Sequence, residues 1–359
     1  MDDSGYMRLA LELAQKGQGR TAPNPCVGAV LVREGQVVGS GWHHKAGMPH
    51  AEVNAIAEAG TACVGATLYV TLEPCNHTGK TPPCTQAVLA AGIRRVVVGM
   101  ADPNPIAAGG ADFLRSHGID VEMGVLEQEC RQLNHPFIKH SLTGLPWVVM
   151  KAGMSLDGKI SKLQGQGGPI TGPESRQRVH ELRNQLDVIL IGIGTALIDN
   201  PLLTTRIENG RDPLRVILDS QLRLPPEAKL LQQQSTAQTW IFCEHQAAAE
   251  KQQKLEEAGA IIYRVDADDH GQLDLKQVVQ RLGTSGLSSV LVEGGAAVHG
   301  AFLRAGLVDE VYLFIAPYFI GDTGLSLLVG SQFDQLRLVE TTTEKLGQDT
   351  LLHGLLQKL

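Results

Sequence analysis

Over residues 5–17 the apolar positions recur with the period of a helix lying on a core. Two short apolar runs follow, Val27–Val32 and Val37–Trp42, separated by Arg33-Glu34-Gly35-Gln36, and this spacing predicts a β-hairpin. The pattern then predicts a helix over His50–Ala59, a strand over Thr67–Leu72, a helix over Pro83–Ala91 and an apolar strand over Arg95–Met100. A helix over Ala111–Ser116 leads to a strand over Asp120–Val125. Strands and helices in this order predict an α/β unit, a sheet covered by helices.

A second series begins near Pro146. Trp147–Met150 predicts a strand, Glu174–Gln185 a polar helix and Val188–Ile193 a buried strand. Further strands are predicted at Leu214–Leu218, Thr239–Cys243, Ala260–Val265 and Ser289–Val292, with a short alternating stretch from Leu351. The turn formers of 139–146 separate the two series, which predicts domains over 1–145 and 146–359. No internal repeat or low-complexity tract interrupts either.

With 359 residues the chain exceeds one ordinary core, in keeping with two domains. Its formal charge of −7 and lack of any Lys/Arg run disfavour a nucleic-acid partner, while a small phosphorylated molecule held by a few arginines stays compatible. No apolar run is long enough for a bilayer, and the acidic start does not resemble a secretory signal, so the expectation is a cytoplasmic protein with no membrane partner. Six cysteines are too few for a disulfide scaffold of this size. Cys26, Cys63, Cys130 and Cys243 read as small apolar side chains.

Cys75 and Cys84 read differently. Pro49-His50-Ala51-Glu52 opens a helix, Glu73-Pro74-Cys75 closes a strand, and Pro82-Pro83-Cys84 opens another helix. His50, Cys75 and Cys84 make three ligands for Zn2+, leaving one tetrahedral position free, as hydrolytic zinc sites require. Cys84 falls in a first helical turn, where the dipole favours a thiolate. Positions two apart do not share a helix face, so His50 is expected at the helix boundary with the metal beyond its end, within reach of Glu52. Glu52 then carries protons for a water that attacks an amino-bearing ring carbon, the logic of zinc deaminases. Those enzymes carry H-x-E and P-C-x-x-C; here eight residues separate the cysteines. The longer loop brings His77, Lys80 and Thr81 near the metal, suited to a polar or phosphorylated substrate. Upstream, Pro23-Asn24-Pro25 is a rigid turn from which Asn24 can present its amide to a base edge. Two blander readings stand beside this one: a closed zinc knot with His77 as fourth ligand, and a zinc-stabilised binding protein without turnover.

In the second half, Gly192-Ile193-Gly194-Thr195-Ala196-Leu197 begins like a dinucleotide fingerprint but lacks its third glycine. Val290–Val292 followed by Glu293-Gly294-Gly295-Ala296-Ala297 is the better phosphate cradle, a strand running through two glycines into a helix. Arg183 and Arg206 are candidate phosphate clamps, although an arginine taken singly is more often a solvated surface cation.

The stretches PNPCVGAVLV (23–32), HAEVNAI (50–56) and EPCNHTGKTPPC (73–84) resemble the deaminase domain of the bifunctional riboflavin-biosynthesis deaminase–reductases. GVLEQECRQLN (124–134), followed by Pro136 and Phe137, looks like that family's end-of-domain segment, and the likeness continues through the second half. The resemblance implies a cytidine-deaminase-like α/β/α sandwich followed by a dihydrofolate-reductase-like α/β domain. It implies removal of a pyrimidine 2-amino group, then NADPH-dependent reduction of the ribosyl chain to ribityl, and association of copies into a homo-oligomer. By the same resemblance Asn24, His77 and Lys80 touch the deaminase substrate. Met154, Pro169, Thr195, Asp199, Ser220, Gly295, Ala296, Ala297, Val298, His299, Gly300 and Ala301 map to cofactor contacts. Gly167, Arg183, Leu203, Arg206 and Glu293 map to the reductase substrate. One segment departs: the family often has Ser-x-Trp before Ile-Thr, where this chain has Gly167-Gly168-Pro169 before Ile170-Thr171. The proton source for the reduction stays open between Asp199, Lys151 and water. A zinc deaminase of another base or nucleotide, with a non-reductase C-terminal domain, is the alternative.

Overall fold

Asp2 caps the first helix, α1 (Asp3–Gln15), by accepting from the Gly5 amide, and Met7, Ala10 and Ala14 along one face are fully buried. The computed structural model describes residues 1–78, 82–328 and 336–358. The strands β1 (Gly28–Arg33) and β2 (Gln36–Trp42) form the expected antiparallel hairpin, followed by α2 (Ala51–Ala59) and β3 (Thr67–Leu72). Next come α3 (Cys84–Ala90), β4 (Arg95–Met100), α4 (Gly110–Ser116), β5 (Asp120–Met123), α5 (Glu127–Leu133) and α6 (His135–Thr143). The strands make one five-stranded sheet in the order β2-β1-β3-β4-β5, with β3, β4 and β5 mutually parallel. Helices cover both faces. A Cβ on Gly28 would lie 1.9 Å from the Ala10 carbonyl oxygen of α1, and one on Gly41 would lie 2.5 Å from that of Ala51 in α2. Because Gly41 pairs with Ala29, next to Gly28, those two glycines face opposite sides. Bare backbone there lets each helix settle directly on the sheet.

α5 and α6 were not predicted. α6 fills most of the stretch expected to be a loop, because Lys139–Thr143 continues its last turns, and the chain breaks only at Gly144, whose φ is 72°. There the chain divides into two compact units, Met1–Gly144 and Leu145–Leu359.

The second unit comprises β6 (Trp147–Ser155), α7 (Pro173–Gln185), β7 (Val188–Gly192), α8 (Ile193–Asp199), β8 (Leu214–Leu218), α9 (Lys229–Gln232), β9 (Thr239–Glu244), α10 (Ala249–Glu257) and β10 (Ala260–Val265). It continues with α11 (Leu275–Thr284), β11 (Ser289–Val292), α12 (Ala296–Arg304), β12 (Glu310–Ala316), β13 (Leu336–Leu346) and β14 (Asp349–Lys358). Its nine-stranded sheet runs β10-β9-β8-β7-β11-β6-β12-β14-β13, parallel as far as β12, with the closing β13–β14 hairpin antiparallel to it. β7 and β11 are buried along their whole length, as parallel strands covered on both faces must be. The chain returns at β11 to lie between β7 and β6, a topological switch point that opens a crevice at the strands' carboxyl ends. No helix among the described residues is long and apolar enough to cross a membrane.

Candidate active sites

In the first unit three loops converge at one end of the sheet. His50 is the N-cap of α2, with extended backbone (φ −75°, ψ 167°), so its ring projects off the helix end. Cys75 follows β3, and Cys84 is the first residue of α3. His50 Nδ1 lies 3.2 Å from Cys84 Sγ and 3.7 Å from Cys75 Sγ, and the three donor atoms are all within 4.8 Å of one another. With bonds of about 2.3 Å to sulfur and about 2.0 Å to nitrogen, a tetrahedral zinc site has edges of roughly 3.5–3.8 Å. The donor set fits zinc. The Cys84 amide donates to Cys75 Sγ at 3.3 Å, and no disulfide consumes either thiol. Cys75 is the more acidic of the pair, held down by the hydrogen bond with Cys84 and by His50, while Cys84 is held up by Cys75 and by burial. His77 is not part of the donor cluster, so no fourth protein ligand joins it among the described residues. Lys80 and Thr81 lie outside the described residues.

Glu52 is 3% exposed, and burial pushes its carboxyl up to about 7 against the opposing effect of His50. It lines a cavity of about 390 Å³ together with Asn24, His50, Cys75 and His77. Asn24 donates from Nδ2 to His43 Nε2 (3.1 Å), and His43 Nδ1 donates to the Pro49 carbonyl (3.2 Å), so the two loops flanking His50 are linked.

The second unit holds a cavity of about 400 Å³ at the ends of β6, β7 and β11. Glu293, just past β11, receives Arg183 Nε at 2.7 Å and Nη2 at 3.0 Å, with Lys151 Nζ at 3.6 Å. Burial opposes ionisation of Glu293, yet Arg183 and Lys151 hold its carboxyl at about 2. Lys151 is itself pushed down by burial. Arg183 reaches on with Nη1 to the Thr204 carbonyl (3.1 Å), steadying the loop that carries Leu203 and Arg206. That loop places Asn200, Leu203 and Arg206 at φ of 40°, 57° and 52°, a concentration of left-handed non-glycine residues of the kind found at ligand clamps.

Across the cavity, Gly295 is the N-cap of α12, and Val298 packs so closely that a Cβ on Gly192 or Gly294 would lie 2.7 or 2.5 Å from its side chain. Thr195, Asp199, Gly167, Pro169, Gly295 and His299 all line the wall. A Cβ on Gly167 would meet Asp199 Oδ1 at 1.6 Å, so a side chain at this position requires the exposed Asp199 carboxylate to turn aside. Met154, Ser220, Ala296, Ala297, Val298, Gly300 and Ala301 fall outside the cavity wall.

Residues 146–352 match the RibD C-terminal domain, and residues 1–100 match the cytidine and deoxycytidylate deaminase zinc-binding region. The riboflavin biosynthesis protein RibD of Aquifex aeolicus is 42% identical over 355 residues, covering 98% of this chain and 97% of its own. The chain belongs to the RibD family. Two solved RibD-family structures agree over 99% of both chains: Acinetobacter baumannii RibD (TM-score 0.87, 37% identity) and a Thermotoga maritima diaminohydroxyphosphoribosylaminopyrimidine deaminase/5-amino-6-(5-phosphoribosylamino)uracil reductase (TM-score 0.87, 36% identity). RibD membership makes the first unit a zinc-binding deaminase domain and the second a reductase domain.

Several cavity residues of this RibD-family chain carried no sequence signal. In the deaminase domain these are His43, Asp102 and Asn104. Asp102 and Asn104 sit on a loop held by Glu73, whose carboxylate accepts from the amides of Asp102 (3.1 Å), Gly109 (3.2 Å) and Ala111 (2.9 Å). Burial, then Asn104's opposing amide, and the charges of Glu73 and Cys75 leave the Asp102 carboxyl up at about 6. In the reductase domain Arg176 and His180 join Arg183 on one stripe of α7, facing the cavity with Arg206. Asp349 fixes the start of that helix by accepting from the Gly172 amide (2.7 Å) and Ser175 Oγ (2.6 Å).

Proposed function

We propose that this chain removes the 2-amino group of 2,5-diamino-6-(5-phosphoribosylamino)pyrimidin-4(3H)-one and then reduces the ribosyl chain of the resulting 5-amino-6-(5-phosphoribosylamino)uracil to ribityl with NADPH. The observation that carries the first step is the buried Glu52, outside but beside a three-donor cluster, in a cavity that Asn24, His77, Asp102 and Asn104 also line. His50, Cys75 and Cys84 hold zinc, which supplies Lewis acidity for hydrolysis. Glu52 takes the proton that the attacking water loses and hands it to the departing amino group, which leaves as ammonia while a carbonyl forms. Asn24, His77, Asp102 and Asn104 offer an amide, an imidazole, a carboxyl and a second amide to the pyrimidine edge. Lys80 belongs to the same proposed set.

In the reductase domain Arg176 on α7 and Arg206 opposite supply positive charge that suits the substrate's phosphate, while burial holds the His180 imidazole below its ordinary value and Glu293 engages Arg183. Leu203, Gly167 and Glu293 line the substrate side. Thr195, Asp199, Pro169 and Gly295–Ala301, together with Met154 and Ser220, take the cofactor side by resemblance. NADPH supplies a hydride. Arg183 and Glu293 fix each other, so a bound substrate meets a wall that does not have to reorganise. We place the activity in the cytoplasm, in a homo-oligomer.

Supplying the diamino pyrimidine phosphate to the zinc-loaded chain with NADPH tests the whole reading. One ammonia released and one NADPH consumed per substrate is expected. Ammonia without NADPH consumption would remove the reductase half; no ammonia would remove the deaminase half, and no NADPH consumption when the uracil intermediate is then supplied directly would remove the reductase half as well.

A further inference from the structure

Asn134 sits at the junction of α5 and α6, 1% exposed, in the segment that closes the first unit. It does not line the cavity. Its side chain instead forms a two-point clamp on a residue 108 positions earlier. Oδ1 accepts from the Cys26 amide at 2.8 Å, and Nδ2 donates to the Cys26 carbonyl at 3.0 Å. A further contact from Nδ2 to the Cys130 carbonyl at 3.3 Å ties the same amide to α5. A side-chain amide carries a donor and an acceptor side by side, so it can satisfy the N–H and the carbonyl of one backbone residue at once.

The clamped backbone belongs to the turn Pro23-Asn24-Pro25-Cys26. Two prolines stiffen it, and Asn24 is two residues from the clamp. Asn24 in turn donates to His43, His43 donates to the Pro49 carbonyl, and Pro49 precedes His50. Asn134 is therefore the anchor of a chain of contacts that ends at the wall of the deaminase cavity. The same junction also sends Phe137, one helical turn on, into that wall.

We infer that Asn134 is a positioning residue for deamination: it sets the place of Asn24 against the pyrimidine without touching the substrate. The inference rests on the proposed deaminase reading. A positional error of this kind weakens substrate binding more than the chemical step, because the donor cluster and Glu52 are carried by other elements.

A double-mutant cycle on the full-length, zinc-loaded chain tests it, using Asn24→Ala, Asn134→Ala and the pair. Each single change should raise the deaminase KM about tenfold with kcat changed less, zinc staying at one per chain and NADPH oxidation at the reductase domain unaffected. If Asn134 acts through Asn24, the pair is no worse than Asn24→Ala alone. Asn134→Asp, which keeps the shape and the acceptor for the Cys26 amide, replaces Asn134→Ala in the cycle should the alanine variant fail to hold zinc. Multiplying effects in the pair, with Asn24→Ala impaired, would overturn the positioning role alone. An Asn24→Ala chain with wild-type deamination would strike at the site reading itself, and the inference would fall with it.

Discussion

Nδ1 of His50 lies 3.2 Å from Sγ of Cys84 across 34 positions of sequence, one from a helix cap and the other from a helix start. Two elements brought this close with polarisable donors facing each other call for a cation between them. Cys84→Ala should therefore lower bound zinc from one per chain to well below it, as read by elemental analysis. Chelation of the unaltered protein should stop ammonia release and leave NADPH oxidation with the uracil substrate unchanged. Loss of both activities together would mean that zinc serves the fold and not this site alone.

The placement of α2 depends on bare backbone beneath it. A side chain at Gly41 would meet backbone atoms of Ala51 and Ala55 at 2.5 and 2.6 Å, and backbone cannot swing aside. Gly41→Ala should destabilise the deaminase domain by about 1–3 kcal/mol and displace His50 and Glu52. Ammonia release should fall at least tenfold, with reductase turnover intact, which parallel assays of one preparation would read.

Arg183 and Glu293 form a buried bidentate pair, with Lys151 as the second cation on Glu293. Arg183→Ala should cost about 1–3 kcal/mol of reductase-domain stability by urea unfolding, because Glu293 loses both guanidinium hydrogen bonds and keeps only Lys151 at 3.6 Å. The pair replaced together by Arg183→Met and Glu293→Leu should cost less than the single change. Arg206 is exposed at the cavity edge, so Arg206→Ala should instead raise the reductase substrate's KM about tenfold while leaving stability within about 0.5 kcal/mol.

His299 is 1% exposed, and burial followed by the charge of Lys151 pulls its imidazole down to about 4 from an ordinary 6.5. Between those values the unfolded chain binds a proton that the fold excludes. The stability it protects is fully present above about pH 6.5 and is lost as pH falls toward 4, about 3 kcal/mol in all. His299→Gln should flatten urea midpoints across pH 7 to 5 relative to the unaltered chain. An identical slope in both would place the titration elsewhere.

The sequence made His50, Glu52, Cys75 and Cys84 legible because a metal site demands particular donors at element boundaries, and the elements there have strong periodicity. His43, Asp102 and Asn104 lie on loops, where no period exists and single polar residues look like solvated turns. Asn134 was invisible for a different reason: its meaning lies in a contact with Cys26, and nothing local to α5 or α6 announces it. Arg176 and His180 sit on α7, whose polar residues surround most of the helix, so the cavity-facing stripe does not stand out.

Among elements, β13 gives no strand signal in the sequence, because seven of its eleven residues are exposed and no apolar face alternates along it. The expected boundary loop is helical where Ser141 and Thr143, ordinary turn formers, continue α6, with Thr143 Oγ1 donating to the Lys139 carbonyl (2.8 Å).

The most direct test is ammonia release by Glu52→Gln, with bound zinc measured on the same sample. Glutamine keeps the shape of the side chain but cannot take a proton. The account expects one zinc per chain, unaltered NADPH oxidation with the uracil substrate, and ammonia release reduced by about 10²–10⁴-fold. Release at the unaltered rate from a fully zinc-loaded Glu52→Gln chain would contradict it.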